Sequence, residues 1–287
     1  MPLAQLICAV DDGPSAQATA RFAGHLARLL DLRPLLLHAA DARTDVALRR
    51  AEQRLEALAE SQGLGDAEIH VVDEPPVAAI ARLSYDADVR LVVAGVGRGG
   101  RLAGLRGSVA RRLSESAGCP LVLVPDAPAD ATLERAVVVG AVDDDPHMIR
   151  VARAATDTAE RLDAEIELVH AVKEVVEVPR GRASLRHALA ATALDPRVEE
   201  DVGHLHVAPG PTGREVVAFA ERAQATLLVV GPPTRGPLRS ALLGSTFDEL
   251  RRHSSIPLMV VPEHAASGAP LRSAHERASR PPRGRIP

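Results

Sequence analysis

This chain is written twice. Residues 9–40 laid on 141–172 match at 14 of 32 positions, among them Ala9-Val10-Asp11-Asp12 with Ala141-Val142-Asp143-Asp144, Pro14 with Pro146, and His38-Ala39 with His170-Ala171. Residues 91–125 laid on 228–262 match at 13 of 35, including Leu91-Val92-Val93 with Leu228-Val229-Val230, Gly107-Ser108 with Gly244-Ser245, and Pro120-Leu121 with Pro257-Leu258. The matched segments keep the same order in both halves. Solenoid units run about 20–50 residues, so a repeat this long is a duplicated domain. Two domains are expected over residues 1–126 and 133–263, joined by a small, proline-containing linker from Asp126 to Thr132.

Each half is long enough to bury its own core, and the 287 residues need no disulfide or metal to do so. The two cysteines, Cys8 and Cys119, sit in an apolar run and at the start of one, without the close Cys/His spacing zinc requires. They read as reduced, buried thiols. The opening residues Met1-Pro2-Leu3-Ala4-Gln5 lack the basic and long apolar regions of a secretion signal, and no run approaches membrane-spanning length. A cytoplasmic protein is expected.

The formal net charge is −4 with both signs interspersed, and three Phe, one Tyr and no Trp leave little for base stacking. Nucleic acid and membrane are therefore not expected partners. The stretch 264–287 is rich in Pro, Gly, Ser and Arg (Arg272, Arg277, Arg280, Arg283, Arg285) and reads as a disordered basic tail.

Continuous apolar runs alternate with segments of helical period. Leu6–Val10, Pro34–His38, Ile69–Val72, Leu91–Ala94 and Leu121–Val124 read as strands buried on both faces. Helices are expected near Ser15–Leu30, Thr44–Glu60, Val77–Tyr85 and Ser108–Ala117. The second half repeats this with strands near Ala136–Val142, Glu167–His170, His204–Val207, Leu227–Val230 and Leu258–Val261, and a second helix around Ser184–Leu194. The alternation predicts two α/β domains of the Rossmann-like or flavodoxin-like doubly wound kind. Each would hold a five-stranded parallel sheet in the order 3-2-1-4-5 with helices on both faces. The apolar fifth strands would be exposed edges in isolated domains, so the halves are expected to pair there as an intramolecular pseudo-dimer, with homodimerisation left to other surfaces.

In that strand order the winding reverses between strands one and four, where such sheets bind ligands. The turn Asp11-Asp12-Gly13-Pro14-Ser15 and the loop from Ala94 to Ser108 would converge there. Glycines let backbone N–H groups approach phosphate, and Gly107-Ser108 opens a helix whose N-terminus favours an anion. The alternative is a flexible connector in which Ser108 is an ordinary helix cap. Asp11 suits ribose or adenine, or else organises the turn. His38 and His170 read as structural hydrogen-bonding groups, Asp143-Asp144-Asp145 as a turn cap rather than a metal site, and Phe22, Phe219 and Phe247 as core.

Ala-Val-Asp-x-x-Pro after strand one, Leu-His ending strand two, and Gly-x-x-Gly-x9-Gly-Ser after strand four resemble the universal stress protein family, here as a tandem pair. The resemblance implies a cytoplasmic stress-response protein that binds ATP or another adenine nucleotide, with Mg, as a regulatory ligand and carries out no efficient catalysis. It implies binding through Asp11, Ala39, Gly97, Gly107 and Ser108 in the first half. The second-half counterparts are Asp143, Ala171, Gly231, Gly244 and Ser245. Neither loop keeps the family pattern intact. Ala94 replaces the first glycine in one half, Thr234 replaces the second glycine in the other, and Pro232 and Pro233 remove two backbone donors. Binding is therefore expected mainly in the first half. An interaction module with decayed sites, working through a regulatory protein partner, and a slow ATP hydrolase are the alternatives.

Overall fold

A computed structural model describes residues 4–13, 15–39, 44–95, 108–125, 136–144, 148–192, 204–232, 247, 249–251 and 253–263. The first half runs β1 (Gln5–Ala9), α1 (Ala16–Leu29), β2 (Arg33–Ala39), α2 (Asp45–Ser61), β3 (Glu68–Val72), α3 (Pro76–Ser84), β4 (Val89–Gly95), α4 (Ser108–Ser116) and β5 (Leu121–Val124). The second runs β6 (Val137–Ala141), α5 (Met148–Leu162), β7 (Glu165–Val172), a 3-10 turn (Val175–Glu177), α6 (Val178–Ala190), β8 (Leu205–Pro209), α7 (Thr212–Arg222), β9 (Leu227–Val230) and β10 (Leu258–Val260). Phe247, residues 249–251 and His253 are also helical. The linker and the stretch 264–287 lie outside the described residues.

All ten strands form one sheet, in the order β3-β2-β1-β4-β5-β10-β9-β6-β7-β8. Each half shows the expected 3-2-1-4-5 order, and within each half every pairing is parallel. The halves meet where β5 and β10 pair antiparallel, with Leu123 opposite Leu258, Val122 opposite Met259 and Leu121 opposite Val260. The fifth strands thus satisfy each other's backbone groups. Because both faces of the central strands are covered, their runs are apolar without alternation, as in Leu121-Val122-Leu123-Val124, all buried.

Two apolar layers flank the sheet. Alternate strand residues such as Cys8, Val93, Val122 and Met259 pack with α1, α2, α5 and α6 on one face. On the other face Ile7, Val92, Leu121 and Val260 pack with α3, α4, α7 and the helical residues Phe247 and Leu250.

Helix ends are written locally. Thr44 is extended, and its Oγ1 accepts from Ala47 N at 3.3 Å to cap α2. Helices α1, α5 and α7 end in left-handed residues, Asp31, Asp163 and Gln224, after which Leu32, Ala164 and Ala225 donate back to Ala27, Ala159 and Ala220. These are the closing bonds of helix C-termini that point the next strand into the sheet. One expected boundary is wrong: α6 starts at Val178, not near Ser184. Glu174 and Glu177 form a reciprocal capping box around the 3-10 turn, and Pro179 occupies the first turn of α6. Those two signals set the start earlier than the apolar periodicity does.

Candidate functional site

In the second half the carboxyl ends of β6, β7 and β9 open into a cavity of about 320 Å³. The strand order places β6 between β9 and β7, so the cavity stands where the winding reverses. Asp143 and Asp144 enter from the turn after β6, Ala171 from the end of β7, and Gly231 and Pro232 from the end of β9. Thr212 and Val216 on α7, with Phe247 and Leu250, form an apolar wall. Lys173, Glu177, Arg180 and Gly181 form the opposite rim.

His170 anchors the β6–β7 side. It is buried, and its Nδ1 lies 2.8 Å from the Val142 carbonyl, which spans the gap where the two strands diverge. His38 does the same in the first half, with Nδ1 3.0 Å from the Val10 carbonyl. Both histidines are therefore structural hydrogen-bonding groups. Gly181 allows α6 to reach this wall, since a Cβ there would lie 2.8 Å from His170 Cδ2 and 3.0 Å from Val172 and Val207 methyls.

Asp144 organises the rim. Its Oδ1 accepts from Ser184 Oγ at 2.6 Å and lies 3.9 Å from His170 Nε2, while Oδ2 lies 3.2 Å from Arg180 Nη2. The first half repeats the device, Asp12 Oδ1 pairing with Arg54 Nη2 on α2 at 3.0 Å. Asp11 folds over its own turn, Oδ1 accepting from Gly13 N at 2.9 Å.

Three of the five second-half candidates, Asp143, Ala171 and Gly231, therefore line one cavity. Gly244 and Ser245 lie outside the described residues. In the first half Asp11 follows β1, Ala39 ends β2, and Ser108 opens α4. Gly97 and Gly107 lie outside the described residues. Ala94 is buried inside β4. At Gly95 α1 comes close: a Cβ would lie 2.6 Å from Thr19 Oγ1 and 3.0 Å from Ser15 Oγ. Sequence reasoning missed Arg180, Ser184 and Thr212. The capping box and Pro179 would have placed the first two on the first turns of a helix entering the site. Among the described residues no group of three or more His, Cys, Asp or Glu side chains is arranged to hold a metal ion.

Comparison with known proteins accords with this geometry. The profile of the universal stress protein family matches residues 4–125 and again 135–262. A universal stress protein of Mycobacterium tuberculosis H37Rv is 31% identical over 202 residues, covering 66% of this chain and 67% of that protein. A second one from the same strain is 25% identical over 295 residues, covering 90% and 96%. The crystal structure of a universal stress protein from Archaeoglobus fulgidus superposes with a TM-score of 0.66 at 18% identity, covering 90% of this chain and 98% of that one. The chain belongs to the universal stress protein family, with two copies of its domain in tandem. No helix among the described residues is long and apolar enough to cross a membrane.

Proposed function

We propose that the chain is a cytoplasmic stress-response protein that binds an adenine nucleotide as a regulatory ligand and does not turn it over efficiently. The observation that carries this reading is the convergence of Asp143, Ala171 and Gly231 on one cavity at the winding reversal. About 320 Å³ lies at the small end of ligand pockets and suits a nucleoside-sized group. Asp143, on the cavity lining, would accept from ribose hydroxyl or base amine donors. The β9 loop would take the phosphates, with Gly244 and Ser245 at the helix that follows.

The first half is the tighter site in this reading. Its loop, with Gly97, Gly107 and Ser108, keeps backbone donors that Pro232 and Pro233 remove from the second. Ala39 and Asp11 there play the parts of Ala171 and Asp143. Magnesium enters as a counter-ion of the phosphates, because the described carboxylates form no metal cluster of their own. No residue is given a general-base role: Asp144 is engaged by Arg180 and Ser184, and His170 is buried with its Nδ1 on the Val142 carbonyl.

Calorimetric titration with ATP and magnesium, on the parent chain and on Gly107→Glu and Gly244→Glu, tests the reading. Binding lost in Gly107→Glu and retained in Gly244→Glu supports a dominant first site. No binding in the parent chain would favour the second reading, an interaction module with decayed sites, to which Ala94, Thr234 and the two prolines already point. Phosphate release well above background would favour the slow hydrolase.

A further inference from the structure

The connection between β7 and α6 presents a surface that nucleotide binding does not need. Val175 and Val176 are 73% and 78% exposed, more than any other large apolar residue among those described. They are not a frayed loop. The reciprocal capping box of Glu174 and Glu177 fixes the 3-10 turn that carries them, and Lys173 N and Glu174 N both donate to Glu177 Oε2, at 2.9 and 3.1 Å. Two adjacent valines on a fixed turn present a small, ordered apolar contact surface to solvent.

Down α6 the exposed strip continues through Pro179, Arg182 and Arg186. The helix carries no acidic residue between Val178 and Ala190, and it turns Gly181, Leu185, Ala188 and Leu189 into the core. Arg180 is neutralised by Asp144. Arg182 and Arg186 make no ion pair or hydrogen bond among the described residues. Glu174 and Glu177 keep their charges at the turn itself, where they cap backbone N–H groups, while the strip on the α6 side of the valines is positive through Arg182 and Arg186. The first half has no such feature: its β2–α2 connection reads Ala40-Asp41-Ala42-Arg43-Thr44, without a large apolar residue.

We propose that Val175, Val176, Arg182 and Arg186 form a docking surface for an acidic protein segment with a small apolar anchor. The valines would cover the anchor, and the two arginines would pair with carboxylates flanking it. A lipid surface fits less well, because α6 buries its own apolar side in the protein and leaves only two small side chains to enter a bilayer. A twofold contact between two copies through this patch would set Arg182 and Arg186 against themselves. The surface adjoins the cavity, since Lys173 and Glu177 belong both to its turn and to the cavity rim, but its existence does not depend on what the cavity holds.

The test is fluorescence anisotropy of the full chain with a labelled peptide of two adjacent leucines between runs of glutamate. Saturable binding is expected, weakened about tenfold or more in Val175→Asp/Val176→Asp and in Arg182→Glu/Arg186→Glu. Salt should weaken it in the parent chain. Circular dichroism and urea unfolding establish that both variants fold. ATP calorimetry on the same variants should be unchanged, which separates this proposal from the nucleotide reading. Equal affinity in the variants, or no saturation with the parent chain, overturns it. So does co-sedimentation with phosphatidylglycerol vesicles, or self-association, that the same variants abolish while the peptide does not bind.

Discussion

Arg180 Nη2 lies 3.2 Å from Asp144 Oδ2, tying the first turn of α6 to the turn after β6 across the mouth of the second-half cavity. Arg54 and Asp12 make the same tie at 3.0 Å in the first half, on α2. The second acidic residue of each Asp-Asp pair thus ties its turn to the following helix. Asp144→Asn should keep the Ser184 hydrogen bond and weaken the ion pair. Because both partners are substantially exposed, the stability loss should be small, about 0.2–1 kcal/mol by urea unfolding. The larger effect should be on binding: Arg180 becomes available to an anion, so on the Gly107→Glu background, where calorimetry is expected to show no binding, a second-site signal should appear. Its continued absence would mean that the brace, not the charge, is what the site needs.

Gly95 ends β4 and Gly231 directly follows β9, and the two should tolerate a methyl group very differently. A Cβ at Gly95 would stand 2.6 Å from Thr19 Oγ1, whereas at Gly231 it would meet Val151 Cγ2 at 3.5 Å, an ordinary contact. Gly95→Ala should therefore overpack the α1–β4 interface and cost about 1–3 kcal/mol, while Gly231→Ala should cost well under about 1 kcal/mol. Equal losses in denaturant titrations would contradict the packing account.

Much of the fold was legible because it is encoded in short range. Runs such as Leu121-Val122-Leu123-Val124 announce strands covered on both faces, and duplicated segments announce two copies of one strand order. The candidate cavity was legible where it follows strand ends: Asp143, Ala171 and Gly231 line it where the doubly wound order reverses, and the family their motifs resemble is the one the chain belongs to. What escaped was the part set by side-chain bonds across the chain. Ser184 and Arg180 reach Asp144 from about forty residues away, and periodicity alone started their helix six residues late. Apolar spacing reports which face of a helix is buried, while its start is set by a capping box and a proline that carry no period.

At the junction of the halves Val122 faces Met259, and both are fully buried. Met259 packs with Thr158 of α5, whose Oγ1 lies 3.9 Å from its sulfur. Met259→Lys would bury an unpaired ammonium in the seam, which should cost about 3 kcal/mol or more. Since β5 and β10 supply the strand pairing between the halves, the loss should fall on their coupling. Thermal unfolding that is a single transition in the parent chain should split into two. A single transition merely shifted to lower temperature would mean that the halves are coupled by contacts other than this seam.

Cys8 lies in the middle of β1 against Leu36 and Val93, and Cys119 is buried just before β5. Removal from water disfavours the thiolate, and burial pushes both thiols up from an ordinary value of 9.0 to about 12. Above pH 9 the unfolded chain releases these protons while the folded chain keeps them, so the folded state binds more protons and stability falls as pH rises. The window runs from about pH 9 to about pH 12, with a slope of about 1.4 kcal/mol per pH unit for each thiol. Below pH 9 both states are protonated and the thiols contribute no pH dependence. Cys8→Ala/Cys119→Ala should accordingly show a shallower alkaline decline than the parent chain in urea titrations taken across that window. In the native parent, a thiol reagent at pH 8 should react with neither cysteine until denaturant is added. Rapid labelling without denaturant would show that one of the strands carrying them opens locally.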